Sequence, residues 1–245
     1  MPHGPVATCD GAMNTTPVDT TTTTDATALR TTRAGGTLSR LFAWWYPKLM
    51  GMSERAGQAD VRRAQLAAAA GRTLEIGVGS GLSLPHYGDN VTELVLLEPN
   101  KAFHPELLRT IEGLQQRPWS WRLVSGDGHQ MPFDGSTFDT VTASFTFCSV
   151  ADPAKVLDEI HRVLRPGGRL LFHEHVRGEG TRGRLQDALA PVQVALADGC
   201  HPNRDFLAAV EVSRLQTVHV VHSRMPRGFP TVAPVVHGTA VRPVN

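Results

Sequence analysis

Short apolar runs alternate with amphipathic segments over residues 73–175, and this alternation predicts a parallel sheet whose strands are connected by helices. The second run is apolar on both faces, as a central parallel strand would be. Ligands of such sheets lie outside the carboxyl ends of the strands. Strands are predicted at Thr73–Gly77, Glu93–Glu98, Arg122–Ser125, Phe138–Ser144 and Arg169–Glu174, and helices at Leu82–Tyr87, Pro105–Leu114 and Pro153–Leu164.

The segments on either side of this region extend the same fold. Residues 39–70 have a helical pattern, and Pro47 is expected to break that helix in two. Towards the end, a helix near Arg204–Leu215 is followed by two strands, Gln216–Ser223 and Val235–Arg242, with no helix between them. The predicted fold class is therefore α/β: a doubly wound sheet of seven strands, mostly parallel with an antiparallel edge strand, and helices on both faces.

Composition divides the chain into a tail and one domain. Residues 1–36 are rich in Thr, Ala, Gly and Asp and have few large apolar side chains, so we expect a disordered Thr-rich tail. Residues 37–245 are long enough for a single buried core. We find no signal-peptide pattern and no run of about 18 apolar residues, which favours a cytoplasmic protein without an integral membrane segment.

Charge and cysteine usage exclude several classes of protein. The formal net charge is +1, from 24 basic and 23 acidic residues, and no basic block is present, so a nucleic-acid partner is not expected. The three cysteines, Cys9, Cys148 and Cys200, form no C-x-x-C pair and leave one over, which argues against a disulfide framework and a zinc site built on cysteine pairs. We expect Cys148 and Cys200 to pack as small apolar residues. His173 and His175 lie on one strand face and could form a metal pair, but no carboxylate or cysteine is identified to complete it, so no metal is expected to be bound.

Three alternating glycines follow an acidic residue at the end of the first predicted strand. Gly77, Gly79 and Gly81 allow a tight turn and a close approach of ligand to backbone. The dinucleotide pattern G-x-G-x-x-G would require glycine at Leu82. The carboxylate of Glu75 favours a ligand that carries an ammonium group over a pyrophosphate.

Two further motifs lie where the next strands end. Glu98, followed by Pro99, ends the second predicted strand, where a carboxylate can accept both hydroxyls of a ribose; a solvated carboxylate is the alternative. Residues 126–133 read Gly-Asp-Gly-His-Gln-Met-Pro-Phe, which taken alone is an Asp-Gly turn.

Together these motifs resemble those of class I S-adenosylmethionine-dependent methyltransferases, E-x-G-x-G-x-G and G-D-A-x-x-L-P-F, over Leu74–Glu174. The resemblance implies a Rossmann-like sheet, S-adenosyl-L-methionine as cofactor, a small-molecule acceptor, and an aspartate, here Asp127, that accepts from the adenine amino group. The cofactor-binding residues that it implies are Glu75, Gly77, Gly79, Ser80, Gly81, Glu98, Pro99, Asp127, Gly128 and Ser144.

Local matches narrow the branch of this class. The loop after the fourth strand lacks the N/D-P-P-Y tetrapeptide of base and glutamine methyltransferases. Cys148-Ser149-Val150, Glu174-His175-Val176 and Asp198-Gly199-Cys200 resemble the branch that includes the vertebrate thiol S-methyltransferases, and also look similar to quinone-biosynthesis and phospholipid N-methyltransferases. The membrane anchor of the vertebrate members is not recognised here, and Val235 stands where they have a histidine. Peripheral membrane contact stays open.

His175 is the candidate catalytic base, since it ends the fifth predicted strand on the acceptor side; a structural histidine is the alternative. Trp44, Trp45 and Tyr46 form an aromatic cluster, whose helix is expected to close over the cofactor and make an apolar acceptor pocket; core packing or contact with a membrane surface is the alternative. Asp198 and Arg204 are expected to form an ion pair, with a helix-entry acid and a solvated arginine as the alternative. The predicted function is methyl transfer to a small, apolar acceptor, with a thiol favoured over a hydroxyl or an amine. The alternatives are a quinone-biosynthesis or phospholipid methyltransferase and a non-catalytic module that binds S-adenosylmethionine.

Overall fold

The computed structural model of the protein describes residues 37–114, 117 and 119–244, so the predicted Thr-rich tail lies outside the described residues. Seven strands form one sheet in the order β3-β2-β1-β4-β5-β7-β6. Strands β1 to β5 pair in parallel, whereas β7 is antiparallel to both β5 and β6. The α/β prediction is confirmed. The strands are β1 Gly71–Ile76, β2 Val91–Leu97, β3 Ser120–Val124, β4 Phe138–Ser144, β5 Leu164–His175, β6 Gln216–Arg224 and β7 Pro234–Val241.

Six α-helices surround this sheet in the described residues. They are α1 Thr37–Ser53, α2 Ala59–Leu66, α3 His104–Gly113, α4 Pro153–Val163, α5 Gly180–Leu196 and α6 Phe206–Glu211. A π-helical turn, Glu54–Gln58, joins α1 to α2, and a 3-10 turn, Leu84–His86, follows β1.

The break in the first helical segment was predicted at the wrong residue. Helix α1 continues through Pro47, and the chain changes direction at Gly57, whose φ is +119°. Glycine adopts a positive φ at little cost, whereas a proline within a helix removes a single backbone hydrogen bond that packing can offset.

Helix α5 was not predicted from the sequence. Gly180, Gly183 and Pro191 all oppose helix formation, and they obscure its apolar stripe. Leu185, Leu189 and other apolar residues of that stripe are 43–60% exposed. The helix therefore forms a partial cover over the sheet instead of a layer of the core.

The core lies on both faces of the sheet. On one face α4 packs its stripe of Val156, Leu157 and Ile160 against β1, β4 and β5. On the other face Leu66 of α2 and Leu107 of α3 pack against β2 and the glycine-loop region. The connections from β1 to β2 and from β3 to β4 lead to opposite sides of β1, so a crevice opens at the carboxyl ends of β1 and β4.

Candidate active site

A cavity of about 570 Å³ occupies this crevice. Its floor is the chain that follows β1 and the loop that follows β4, including Gly79 and Phe145. Helix α1 contributes Trp45 and Tyr46 to the wall, and α5 contributes Leu185 among other residues. One part of the cavity is therefore lined by backbone and carboxylates, and another part by apolar side chains.

The three glycines of the loop have different structural roles. All three have positive φ values, +63° at Gly77, +55° at Gly79 and +85° at Gly81. A Cβ at Gly77 would lie 2.7 Å from the Thr146 side chain, and one at Gly81 would lie 2.9 Å from Leu107. A Cβ at Gly79 would meet no atom within 4 Å, because Gly79 borders the cavity. Ligand would therefore approach the backbone at Gly79.

Glu98 links the glycine loop to the end of β2. One of its carboxylate oxygens accepts from the Gly79 N–H and the other from the Asn100 N–H, each at 2.8 Å. The side chain is 5% exposed and lines the cavity. Burial raises the pKa of Glu98 to about 7, and the two backbone N–H groups oppose that rise.

Glu75 lies in β1 beneath the same part of the cavity. Its carboxylate accepts from the Tyr87 hydroxyl at 3.1 Å, and that hydroxyl lies 2.6 Å from the Thr142 hydroxyl. Burial raises the pKa of Glu75 to about 7. The cavity therefore holds two carboxyl groups, Glu75 and Glu98, whose pKa values burial raises to about 7.

Arg62 of α2 is a cavity residue that sequence reasoning missed. Its side chain donates to the Ser83 hydroxyl at 3.0 Å and pairs with Glu54 at 2.8 Å, while its Nε has no partner among the described residues. The residue is 2% exposed. No sequence signal identified it, because one arginine in an amphipathic helix is usually a solvated residue.

Four residues of the predicted cofactor set do not line this cavity: Gly81, Pro99, Asp127 and Gly128. Asp127 accepts from the backbone N–H of His129 at 3.0 Å and lies 2.5 Å from that residue's Nδ1. Because the other ring nitrogen accepts from the Asp152 N–H, Nδ1 is the nitrogen that donates. One oxygen of Asp127 thus orients this loop, and its adenine contact stays a prediction.

His175, the last residue of β5, lines the cavity, and its role as a catalytic base stays a prediction. Its ring stacks on Phe145, with ring centroids 4.5 Å apart, and Phe145 has a φ of +54°. Burial lowers the pKa of His175 to about 4. Taking a proton from a thiol of pKa about 8.5 would therefore cost about 6 kcal/mol, so the imidazole is a weak base.

Two loops that are distant in sequence meet beside His175. The Sγ atoms of Cys148 and Cys200 and a ring nitrogen of His175 all lie within 4.8 Å of one another, and all three residues are buried. The His201 N–H donates to the Cys148 carbonyl at 2.7 Å. The burial predicted for both cysteines is confirmed, but the sequence did not predict that they meet, because 51 residues separate them.

The ion pair predicted between Asp198 and Arg204 is wrong. Arg204 donates to the carbonyl oxygens of Phe147, at 2.7 Å, and Val150. Asp198 accepts from the Asn100 side chain at 3.2 Å. Arg204 thus holds the loop after β4 instead of neutralising an acid.

Comparisons with known proteins agree with this architecture. Residues 74–172 match the family described as a methyltransferase domain. Thiol S-methyltransferase TMT1A of Homo sapiens is 32% identical over 174 residues, covering 69% of this chain and 70% of the relative. Phosphatidylethanolamine N-methyltransferase of Cereibacter sphaeroides is 35% identical over 158 residues, covering 63% and 75%. The fold is similar to that of a solved Thermotoga maritima structure, described as an S-adenosylmethionine-dependent methyltransferase and possible histamine N-methyltransferase. The two superimpose with a TM-score of 0.63 at 18% identity, over 84% of this chain and 98% of that one.

The fold and the cavity define a class I S-adenosylmethionine-dependent methyltransferase. The chain belongs to the methyltransferase family that includes the thiol S-methyltransferases. S-adenosylmethionine fits the residues present: Gly79 leaves open space above its backbone, and the buried Ser80 hydroxyl beside it has no partner among the described residues. In the part of the chain that the structure describes, no helix is long and apolar enough to span a bilayer.

Proposed function

We propose that the protein transfers a methyl group from S-adenosylmethionine to the sulfur of a small apolar thiol. The observation that carries this proposal is the cavity itself, which joins a glycine loop with two carboxylates to an apolar chamber. The cofactor supplies an electrophilic methyl group on a sulfonium. The protein then has to position the acceptor, exclude water and present a nucleophile.

The cofactor end is assigned to the residues around Gly79. Glu75 would hold the ammonium of the aminoacyl group, and Arg62, which lines the same cavity, would face the carboxylate. Glu98 would accept from the ribose hydroxyls with the lone pairs that its two backbone contacts leave available. Ser80 and Ser144 are the remaining cavity residues of the predicted set.

The acceptor end is assigned to the chamber between α1 and α5. Trp45, Tyr46, Leu185 and Leu189 line it, so it favours an alkyl or aryl group over a charged acceptor. Trp44, the third member of the aromatic cluster, is 64% exposed and faces away from this chamber, with Lys48 3.8 Å from its ring centroid.

Sulfur is favoured as the acceptor atom because a thiol needs the least help from the protein. A thiol is a much stronger acid than an aliphatic alcohol, so part of it is thiolate near neutral pH, and thiolates are strong nucleophiles. An aliphatic hydroxyl has no such ionised fraction and requires a strong base. A thiol acceptor therefore does not depend on a strong base among the cavity residues.

A matched panel of acceptors tests the proposal. The purified protein is incubated with S-adenosylmethionine and with hexanethiol, hexanol or hexylamine, and with the corresponding phenyl compounds, and methylated products are measured by mass spectrometry. We expect methyl transfer to both thiols and loss of transfer in Gly79→Val. Transfer to alcohols or amines but not to thiols would refute the assignment of sulfur.

A phospholipid amine is the second candidate acceptor, favoured by the apolar stripe on α5. Leu185, Leu189, Val192 and Leu196 are all more than 40% exposed at helical spacing, which suits contact with acyl chains. The relative from Cereibacter sphaeroides carries that activity in its name. Vesicles of phosphatidylethanolamine belong in the same panel, and methylation of their headgroup would favour this candidate.

A further inference from the structure

Three side chains of the kind that bind soft metals converge at the acceptor end of the cavity. The sulfurs of Cys148 and Cys200 and a ring nitrogen of His175 lie within 4.8 Å of one another. In a tetrahedral zinc site with Zn–S bonds of about 2.3 Å, two sulfurs lie about 3.8 Å apart. Side-chain movements of about 1 Å or less would therefore place all three atoms around one ion.

The imidazole of this cluster has one buried nitrogen without a hydrogen-bond partner among the described residues. The Nδ1 of His175 has no hydrogen-bond partner among the described residues, although the residue is 7% exposed. Buried polar atoms are rarely left unsatisfied, because that costs about 1–3 kcal/mol. The Cys200 sulfur accepts from the Gln193 amide at 3.7 Å, a contact suited to a metal-bound thiolate.

The surrounding backbone fixes the positions of the two cysteines. The Cys148 carbonyl accepts from the His201 N–H at 2.7 Å, which ties the loop after β4 to the loop after α5. The second loop turns at Asp198 and Gly199, whose φ values are +48° and +84°. Arg204 adds contacts to the first loop through the Phe147 carbonyl at 2.7 Å. The cluster is therefore preorganised, as a metal site has to be.

We propose that Cys148, His175 and Cys200 bind one zinc ion, whose fourth coordination position faces the cavity and takes the acceptor thiol. Two thiolates and one imidazole favour Zn²⁺ over hard cations, and three protein ligands leave the open position typical of catalytic zinc. All three residues line the cavity that Gly79 also borders. This inference rests on the proposed function, since it names how the thiol is held and activated.

The reaction balances without an oxidant or a reductant. Metal binding displaces the protons of Cys148 and Cys200 to solvent. The acceptor thiol replaces a zinc-bound water and loses its proton to solvent, which leaves a zinc-bound thiolate. The sulfur of this thiolate forms the new S–CH₃ bond, the C–S bond of the sulfonium breaks, and its electron pair stays on the departing sulfur. The neutral thioether is a weak ligand, so water takes its place.

Metal content is the first measurement. After removal of any affinity tag, elemental analysis of the full chain should find one zinc ion per wild-type chain and more than about tenfold less in Cys200→Ser and His175→Ala. Cys9→Ser and His222→Ala are the matched controls; Cys9 lies outside the described residues, and His222 is exposed on β6. Cys200→His, which restores a ligand, should recover zinc, whereas a role in packing alone predicts no recovery. Circular dichroism establishes that each variant is folded.

Cobalt substitution tests the open position. The Co²⁺ protein should show thiolate-to-cobalt charge transfer and strong tetrahedral d–d bands, and hexanethiol should shift those bands while hexanol does not. If wild type holds no more metal than Cys200→Ser, the inference is overturned. The same holds if Cys148 and Cys200 are found as a disulfide that binds no zinc after reduction.

The two proposals can fail separately. If metal-free wild type and Cys200→Ser both methylate thiols as fast as zinc-loaded wild type does, the zinc site is overturned and the proposed function stands. Stoichiometric zinc with a cobalt spectrum that responds to hexanethiol, but no methyl transfer to any thiol, would support the metal site and refute the proposed function.

Discussion

Replacing Glu75 by glutamine should stabilise the cofactor-free protein while weakening its binding of cofactor. Glu75 is 3% exposed, and burial raises its pKa from an ordinary 4.5 to about 7. When the pKa of a carboxyl is higher in the folded state than in the unfolded state, its contribution to stability is complete below the unfolded-state pKa. That contribution is lost as the pH rises through the folded-state pKa. The wild-type protein therefore pays an increasing cost for ionising Glu75 as the pH rises from about 4.5 to about 7.

The size of this cost follows from the two pKa values. A difference of about 2.5 pH units, at 1.36 kcal/mol each, amounts to about 3 kcal/mol at pH 8 and about 1 kcal/mol at pH 5.5. Glu75→Gln removes this cost and keeps an oxygen that can accept from Tyr87. The free energy of unfolding of the variant should therefore exceed that of wild type by about 2 kcal/mol more at pH 8 than at pH 5.5.

Urea unfolding of the cofactor-free protein at the two pH values measures this difference. Glu112→Gln, at an exposed position of α3, is the matched control and should change stability equally at both pH values. The reasoning is refuted if Glu75→Gln and wild type show the same dependence of unfolding free energy on pH, or if the variant is the less stable protein at pH 8.

Three further predictions use the same fold. The affinity for S-adenosylhomocysteine, measured calorimetrically, should rise between pH 6 and pH 8 by about tenfold for each of Glu75 and Glu98 that ionises in the cavity, and Glu75→Gln should remove the tenfold share of Glu75. Gly79→Ala should cost about 1 kcal/mol of stability, because the φ of Gly79 is +55°, and should weaken the binding of cofactor at least about tenfold, because the added methyl group projects into the cavity. The control Gly88→Ala, in open space outside the loop, should have neither effect. Equal affinities of the two variants for cofactor would contradict the placement of cofactor over Gly79. Leu189→Asp should raise the KM for an apolar acceptor more than Val192→Asp does, because both residues lie on the apolar stripe of α5 but only Leu189 of the two lines the cavity. Steady-state kinetics that rank the two variants in the opposite order would contradict the assignment of the chamber.

The central elements could be predicted because their signals are local. Strand β4 was predicted with its observed bounds, and α4 within one residue, since the apolar stripe of α4 lies within a short segment. The glycine loop was recognisable because a positive φ restricts the residue type at each of three positions. The family was predictable for the same reason, since its motifs are short and contiguous.

Other features depend on residues that are far apart in sequence. The course of α1 through Pro47 and the existence of α5 could not be deduced, because packing against distant segments decides whether a proline or a glycine is tolerated in a helix. Arg62 was missed because an arginine in a helix acquires a role only when the fold carries it into a cavity.

The sequence by itself determined the α/β class, the strand that carries the glycine loop, and the cofactor, since each rests on the conformational freedom or chemistry of a few adjacent residues. The tertiary structure alone decided that Glu75 and Glu98 share one buried cavity and that Cys148, His175 and Cys200 come within 4.8 Å of one another. Burial and the convergence of loops set pKa values and ligand geometry, and both arise only when the chain packs around its sheet.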